Sequence, residues 1–164
     1  MPIEIAYFDR GPIDAKRPTL GGYWSTYYYR GRIYGTEIAR GLDVFALTPS
    51  ATLSANEIAA AALADQGGRF NPQQQYPVAW PAEPVVARAY MDQFRRGGLL
   101  GASLDQRLGV ALARAQVPLN ARAKAGPLAK ELRSLAGEVT SQSTDAKRRA
   151  ALADVLKAMA ERLD

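Results

Sequence analysis

The stretch that decides the fold is Tyr23-Trp24-Ser25-Thr26-Tyr27-Tyr28-Tyr29-Arg30-Gly31-Arg32-Ile33-Tyr34-Gly35-Thr36-Glu37-Ile38-Ala39-Arg40-Gly41-Leu42-Asp43-Val44-Phe45-Ala46-Leu47. Aromatic and β-branched residues dominate it, and Arg30-Gly31 and Arg40-Gly41 punctuate it. It reads as three strands, 23–30, 32–38 and 42–47, joined by tight turns into an antiparallel meander. Strict alternation puts Tyr23, Ser25, Tyr27 and Tyr29 on one face, with Trp24, Thr26, Tyr28 and Arg30 on the other. In the third strand Leu42, Val44 and Ala46 oppose Asp43, Phe45 and Leu47. An antiparallel sheet covered on one side alternates apolar and polar positions. Here neither face is polar, so the sheet is expected to be covered on both.

Upstream, Ile3 to Phe8 is short, apolar and bounded by turn residues, which predicts a fourth strand beside 42–47 or at the opposite edge. Gly11, Pro12, Pro18, Gly21 and Gly22 mark residues 9–22 as a loop. Downstream, Thr48-Pro49-Ser50 ends the sheet. Ser54-x-x-Glu57 forms a capping-box pattern ahead of Ile58 and an alanine-rich run to Ala64, so a short helix starts there. Gly67-Gly68 is expected to stop it, and residues 69–84 read as a Pro-rich linker.

The remainder carries a helical period. Val86, Tyr90 and Phe94 recur at i+4 and end at Gly97-Gly98. Ser103 with Gln106 is expected to cap a second helix striped by Leu104, Leu108, Ala111, Leu112 and Ala115. After Pro118, Asn120 is expected to begin a third, which Gly126-Pro127 kinks or restarts. Leu128, Leu132, Leu135 and Val139 then face inward, Thr140 to Thr144 forms a polar loop, and Leu152, Val155, Leu156, Met159 and Leu163 stripe the last helix. The predicted class is α+β: a small antiparallel β-meander (1–50), a short helix with a Pro-rich linker (51–84), and a C-terminal α-helical bundle (85–164).

Composition narrows the chemistry. The 164 residues include no cysteine and no histidine, which removes disulfides, thiolate ligands, and the commonest general base and metal ligand. No cofactor is called for. No run approaches the 18 apolar residues of a membrane span, and the N-terminus has neither the basic nor the apolar region of a signal peptide. Residues 1–81 carry seven basic and seven acidic side chains, so the net charge of +5 arises entirely from residues 82–164.

The block Gly21-Gly22-Tyr23-Trp24-Ser25-Thr26-Tyr27-Tyr28-Tyr29, followed by Gly35-Thr36-Glu37-Ile38-Ala39-Arg40-Gly41-Leu42-Asp43-Val44-Phe45, resembles the C-terminal end of bacterial LVIVD-repeat proteins. Tyr7 to Asp14, Leu47 to Ser50, Asn56-Glu57-Ile58, and Asn71-Pro72-Gln73 leading to Trp80-Pro81 fit the same pattern, which covers residues 3–95. The resemblance implies a β-propeller-like architecture and an exported, extracellular or cell-surface location. A propeller needs four or more blades of about four strands each, and this chain offers four strands in total. It is therefore expected to be the last blade and tail of something longer, and the missing export signal fits that expectation.

The candidate surface is Trp24, Tyr27, Tyr28 and Tyr29, since Tyr and Trp favour interfaces. The two-faced pattern points to a sheet that meets a neighbouring β-sheet, a protein partner or a second copy, ahead of a carbohydrate or peptide platform. One face is expected to pack on the 54–64 helix or the bundle. The expected role is a non-enzymatic structural or protein-interaction module. Two alternatives stand beside it. Glu37 with Asp43 could serve a carboxylate-dependent, glycosidase-like hydrolase, and with Asp9 they could offer oxygens to Ca²⁺. The basic tail, with Arg95-Arg96 and Lys147-Arg148-Arg149, could bind anions or nucleic acid, although it interleaves acids and lacks aromatics for stacking on bases.

Overall fold

The computed structural model describes residues 3–66, 71, 73, 77–141 and 144–164. The Gly67-Gly68 stop and parts of the linker (69–70, Pro72, 74–76) and of the 140–144 loop lie outside the described residues. The fold is α+β: a three-stranded antiparallel sheet, then five helices, in two compact units, Met1–Ala79 and Trp80–Asp164.

In the first unit, β1 (Tyr23–Tyr29), β2 (Arg32–Glu37) and β3 (Gly41–Phe45) pair in the order β1-β2-β3. The β1–β2 turn places Arg30 and Gly31 at φ of 46° and 79°, the left-handed pair whose twist suits a two-residue hairpin. Helix α1 (Ala55–Ala62) begins with a full capping box, Ser54 Oγ accepting from the Glu57 N–H and the Glu57 carboxylate accepting from the Ser54 N–H. It ends before the glycines, with Leu63 as its C-cap. It approaches the sheet at the β1–β2 turn, where a Cβ on Gly31 would sit 3.3 Å from Ala62 Cβ. The following loop is closed by a bridge, the Asp65 N–H donating to the Ala79 carbonyl at 2.8 Å.

Two strand expectations are corrected. Ile3–Phe8 is not a strand: it joins no ladder and every residue in it is exposed. Phe8 instead lays its ring on Phe45 at 4.7 Å, which holds the segment over one face of the sheet rather than in its plane. Strict alternation also fails in β1. Tyr27 pairs with Tyr34 and Ser25 with Thr36, but the next pair is Tyr23 with Glu37, so Trp24 is the extra residue of a bulge. A bulge sets two residues against one and reverses the side-chain phase beyond it. Tyr23 thereby joins the face of Thr26 and Tyr28.

The second unit is a bundle of α2 (Pro84–Arg96), α3 (Ala102–Ala121), α4 (Gly126–Thr140) and α5 (Ala146–Leu163), with α4 and α5 the most extensively packed pair. The expected stripes form the core: Leu108, Leu112, Leu132, Val139, Leu152, Leu156, Met159 and Leu163 are fully buried around Phe94. Two helix starts are corrected. Gly101, not Ser103, is the N-cap of α3, and Asn120 lies inside that helix rather than opening another. Pro118 lies inside α3, three residues before its end, and supplies no N–H to the Arg114 carbonyl one turn back. Arg122, at φ 52°, then ends α3, and the Ala123 N–H reaches back to the Pro118 carbonyl at 2.9 Å. Pro127 opens α4 in the first-turn position where a missing N–H costs nothing.

Arg149 is the one charged side chain in the bundle core among the described residues. No carboxylate meets it there. Its Nε donates to the Thr144 carbonyl at 2.6 Å and its Nη2 to the Leu99 carbonyl, while the guanidinium lies 4.9 Å from the Phe94 ring centre. Nη1 finds no acceptor. The cation ties the α2–α3 connection to the start of α5, and its charge is balanced by carbonyl dipoles and a π-face.

Candidate functional site

The pairing register defines the two faces of the meander. One carries Tyr23, Thr26 and Tyr28 from β1, Ile33, Gly35 and Glu37 from β2, and Asp43 and Phe45 from β3. The other carries Ser25, Tyr27, Tyr29, Arg32, Tyr34, Thr36, Leu42 and Val44. We call these the inner and the outer face.

The inner face is partly covered by the chain's own N-terminal segment. Tyr23 lies across Gly35, where an added Cβ would meet its ring at 2.8 Å. The Tyr23 ring stands edge-on to Phe45 at 6.0 Å, and Phe8 completes the trio. The Tyr23 hydroxyl donates to the Asp43 carboxylate, which also pairs with Arg10 at 3.2 Å. Burial first, then the Asp43 carboxylate, pushes the Tyr23 phenol above its ordinary value. An apolar cavity of about 380 Å³ remains between Phe8, Tyr23, Ile33, Phe45 and Leu47.

Glu37 is buried at the end of this face. Its carboxylate accepts from the Gly22 N–H at 2.7 Å and from the Ala39 N–H at 2.9 Å. The Gly22 hydrogen bond above all holds it below the usual carboxylate range. It is a latch between the 9–22 loop and the β2–β3 turn, and Arg40 adds a second one by donating to the Gly11 and Pro12 carbonyls. A cavity of about 350 Å³ opens beneath the loop, lined by Arg10, Asp14, Arg17, Glu37 and Arg40.

The outer face has no such cover. Tyr27, Tyr34 and Val44 form one cross-strand row and Ser25, Thr36 and Leu42 the next, with Ser25 and Thr36 hydroxyls bonded at 2.8 Å. Leu42 is 61% exposed, Val44 53% and Tyr27 38%, so the apolar outer face meets solvent.

The expected surface of Trp24, Tyr27, Tyr28 and Tyr29 is therefore divided. Tyr27 and Tyr29 share the outer face, Tyr28 is on the inner one and half-buried, and Trp24 stands 81% exposed on the bulge. Tyr34, Leu42 and Val44 complete the outer face, and cross-strand pairing was the signal that could have found them. For the hydrolase alternative, Glu37 and Asp43 share a face, but the loop cavity takes in Glu37 and not Asp43. Each carboxylate is engaged elsewhere, and Glu37, held ionised, is unsuited to donate a proton near neutrality. Asp9 turns onto the Gly11 N–H, and no acidic cluster able to hold a metal ion forms among the described residues. For the anion-binding alternative, Arg148 pairs with Asp145, Arg149 is buried, and Arg95 bridges Asp92 and Asp105. These pairings occupy most of the two basic clusters.

No family model matches the chain, and no curated protein or solved structure is similar to it.

Proposed function

We propose that the chain is a non-enzymatic interaction module whose β-meander is completed by a neighbouring β-sheet or protein partner at its outer face. The observation that carries this reading is the apolar outer face, where Tyr27, Leu42 and Val44 are exposed beside a half-buried Tyr34, on a sheet only three strands wide. A contiguous apolar patch on a small unit marks an interaction surface. A three-stranded sheet also gains most of its stability from whatever its apolar face packs against. The resemblance to the end of an LVIVD-repeat protein supports the same role, with the neighbour then a preceding blade and the location extracellular.

The reading is tested by hydrophobic-dye binding together with light scattering on a sizing column. The expected result is dye binding or self-association that Tyr27→Lys, Leu42→Lys and Val44→Lys each reduce. A monomer that binds no dye, or dye binding indifferent to all three substitutions, overturns it.

A further inference from the structure

The sheet has two edges, and they are not alike. The outer edge of β1 is closed at both ends. At one end the Trp24 bulge interrupts the ladder. At the other, the Gln66 side chain donates from Nε2 to the Tyr28 carbonyl and accepts from the Arg30 N–H through Oε1, both at 3.1 Å. A side-chain amide there occupies the main-chain groups that an added strand would use. Bulges and covered edges are the usual protection of a strand against unwanted pairing.

The same contact fixes which main-chain groups point outward elsewhere. With Tyr28 and Arg30 facing away from β2, the alternation of an antiparallel ladder turns Tyr27 and Tyr29 toward β2, and Tyr34 toward β1. Ile33 and Gly35 then serve β3 through Phe45 and Asp43. The N–H and C=O groups of Leu42 and Val44 are left on the open edge. Among the described residues no strand pairs with them.

The chain also contains a strand without a sheet. Ile3–Phe8 alternates Ile3, Ile5 and Tyr7 with Glu4, Ala6 and Phe8, is exposed throughout, and joins no ladder. The Glu4 carbonyl accepts from the Thr52 hydroxyl at 3.3 Å. In its own chain the segment is held above the inner face, because Phe8 rests on Phe45 and Arg10 on Asp43, and both partners project from that face. The chain doubles back there through a turn in which Asp9 accepts from the Gly11 N–H at 2.7 Å, with Gly11 at φ 70°. Opening that one glycine hinge would extend the segment away from its own sheet.

We propose that the β3 edge is completed by the Ile3–Phe8 segment of a second copy of this chain, exchanged reciprocally about a two-fold axis. The inference rests on the reading of the meander as an incomplete sheet and names what completes its edge. Exchange of an identical element through an opened hinge is a low-cost route to a dimer. Extended segments join open edges through main-chain hydrogen bonds with little demand on sequence.

Three proteins test it: the full chain, Val44→Pro, and a chain lacking residues 1–8. Proline at an outward-facing edge position removes the free N–H without breaking the β2 ladder. Light scattering across a concentration series is expected to show a dimer for the full chain. Val44→Pro is expected to dimerise about a hundredfold more weakly, about tenfold for each of the two symmetric edges, and the shortened chain, which has no strand to exchange, is expected to stay monomeric. Mixing the two altered chains restores one intact edge, the Val44→Pro chain supplying the strand and the shortened chain the acceptor, so a heterodimer forms. Hydrogen exchange on the unaltered chain gives a measurement independent of folding in the variants: Leu42 and Val44 amides gain protection as concentration rises. A monomer at all concentrations overturns the proposal, as does a dimer that keeps its strength without residues 1–8, or a mixture that gives no heterodimer. If dye binding at the outer face persists in those cases, the interaction-module reading stands and only the strand exchange falls.

Discussion

The two units carry similar numbers of residues and bury them very differently. In the bundle, four helices enclose a continuous core of leucines around Phe94, and nearly every apolar stripe position is closed to solvent. In the β unit, Leu53 and Ala60 are the buried apolar residues among those described, and the large side chains of the sheet stay accessible. The aromatic content runs the other way, with nine of the fourteen aromatic residues within the first 45 positions. The unit richest in side chains that gain from burial buries least. A helix satisfies its backbone internally and needs one covered stripe, whereas a three-stranded sheet leaves two faces and two edges to be met. The bundle closes its core within its own residues, and the β unit leaves its apolar outer face to solvent.

The contrast breaks if the same truncation costs the same in both units. Leu112→Ala, at a position with no accessible surface, is expected to destabilise the bundle by about 2–5 kcal/mol in urea unfolding followed by helical circular dichroism. Tyr27→Ala, a larger truncation on the outer face, is expected to change the folding stability of the isolated chain by less than about 0.5 kcal/mol. Comparable costs would mean that the outer face is already covered.

Next in size is Arg149→Ala, expected to cost the bundle about 2–3 kcal/mol, because the Leu99 and Thr144 carbonyls lose a charged donor inside a closed core. Arg149→Lys is expected to recover little, since an ammonium cannot reach two carbonyls and lie flat on Phe94 at once. Full recovery by lysine would reduce the site to a requirement for charge alone.

Arg149 also shows where the sequence stopped being legible. The stripes Leu104–Leu108–Leu112 and Leu128–Leu132–Leu135 are periodic, and their burial followed from spacing. Lys147-Arg148-Arg149 reads as a solvated basic run, and only the start of α5 against the α2–α3 connection turns its third member inward. The turns at Arg30-Gly31 and Gly41 were readable from residue type, because few residues other than glycine accept those dihedrals. The Trp24 bulge was not, because register is a property of two strands, and a single inserted residue leaves the alternating pattern of β1 unchanged. That one residue moved Tyr23 to the inner face and left Trp24 on the bulge, whereas the separation of Tyr27 and Tyr29 from Tyr28 is ordinary alternation. The Ile3–Phe8 pattern is a strand pattern, yet a strand needs an edge, and this segment is held away from the nearest one. That Tyr34, Leu42 and Val44 share a face with Tyr27 became visible only through pairing.

A third test sharpens the difference between the two faces of the sheet. Gly35→Ala places a methyl group 2.8 Å from the Tyr23 ring, closer than a carbon contact allows. Tyr23 must move, and with it go its edge contact to Phe45 and its hydrogen bond to Asp43. The expected cost to the β unit is about 1–3 kcal/mol, read from faster amide exchange across the β2–β3 ladder. Thr36→Ala, on the outer face one position along, loses a surface hydroxyl pair and is expected to leave that exchange nearly unchanged. Equal effects would show that the inner face is no better packed than the outer.

The smallest effect is a dependence on pH that separates the units by cause. Glu37 sits below its ordinary value of 4.5, chiefly through the Gly22 N–H, so the unfolded chain takes up a proton at a higher pH than the folded one does. Stability from this group is therefore complete above about pH 4.5 and is lost as pH falls through the lower folded value. In the β unit the loss frees the Gly22 and Ala39 amides, whose exchange, corrected for its intrinsic pH dependence, is expected to accelerate in acid. Glu138 and Asp164 in the bundle are lowered for a different reason, their hydrogen bonds to Arg107 and Arg133 at the surface, which salt screens. Acid sensitivity at Gly22 and Ala39 should thus persist in high salt, while that of the bundle's surface pairs fades. Glu37→Gln replaces one acceptor oxygen with a donor facing the Ala39 N–H, so exchange at neutral pH already resembles that of the acidified protein and its acid dependence disappears. An unchanged acid response in Glu37→Gln would move the latch to another carboxylate, with Asp14, lowered by the Lys16 N–H and Arg17, the nearest candidate in the same loop.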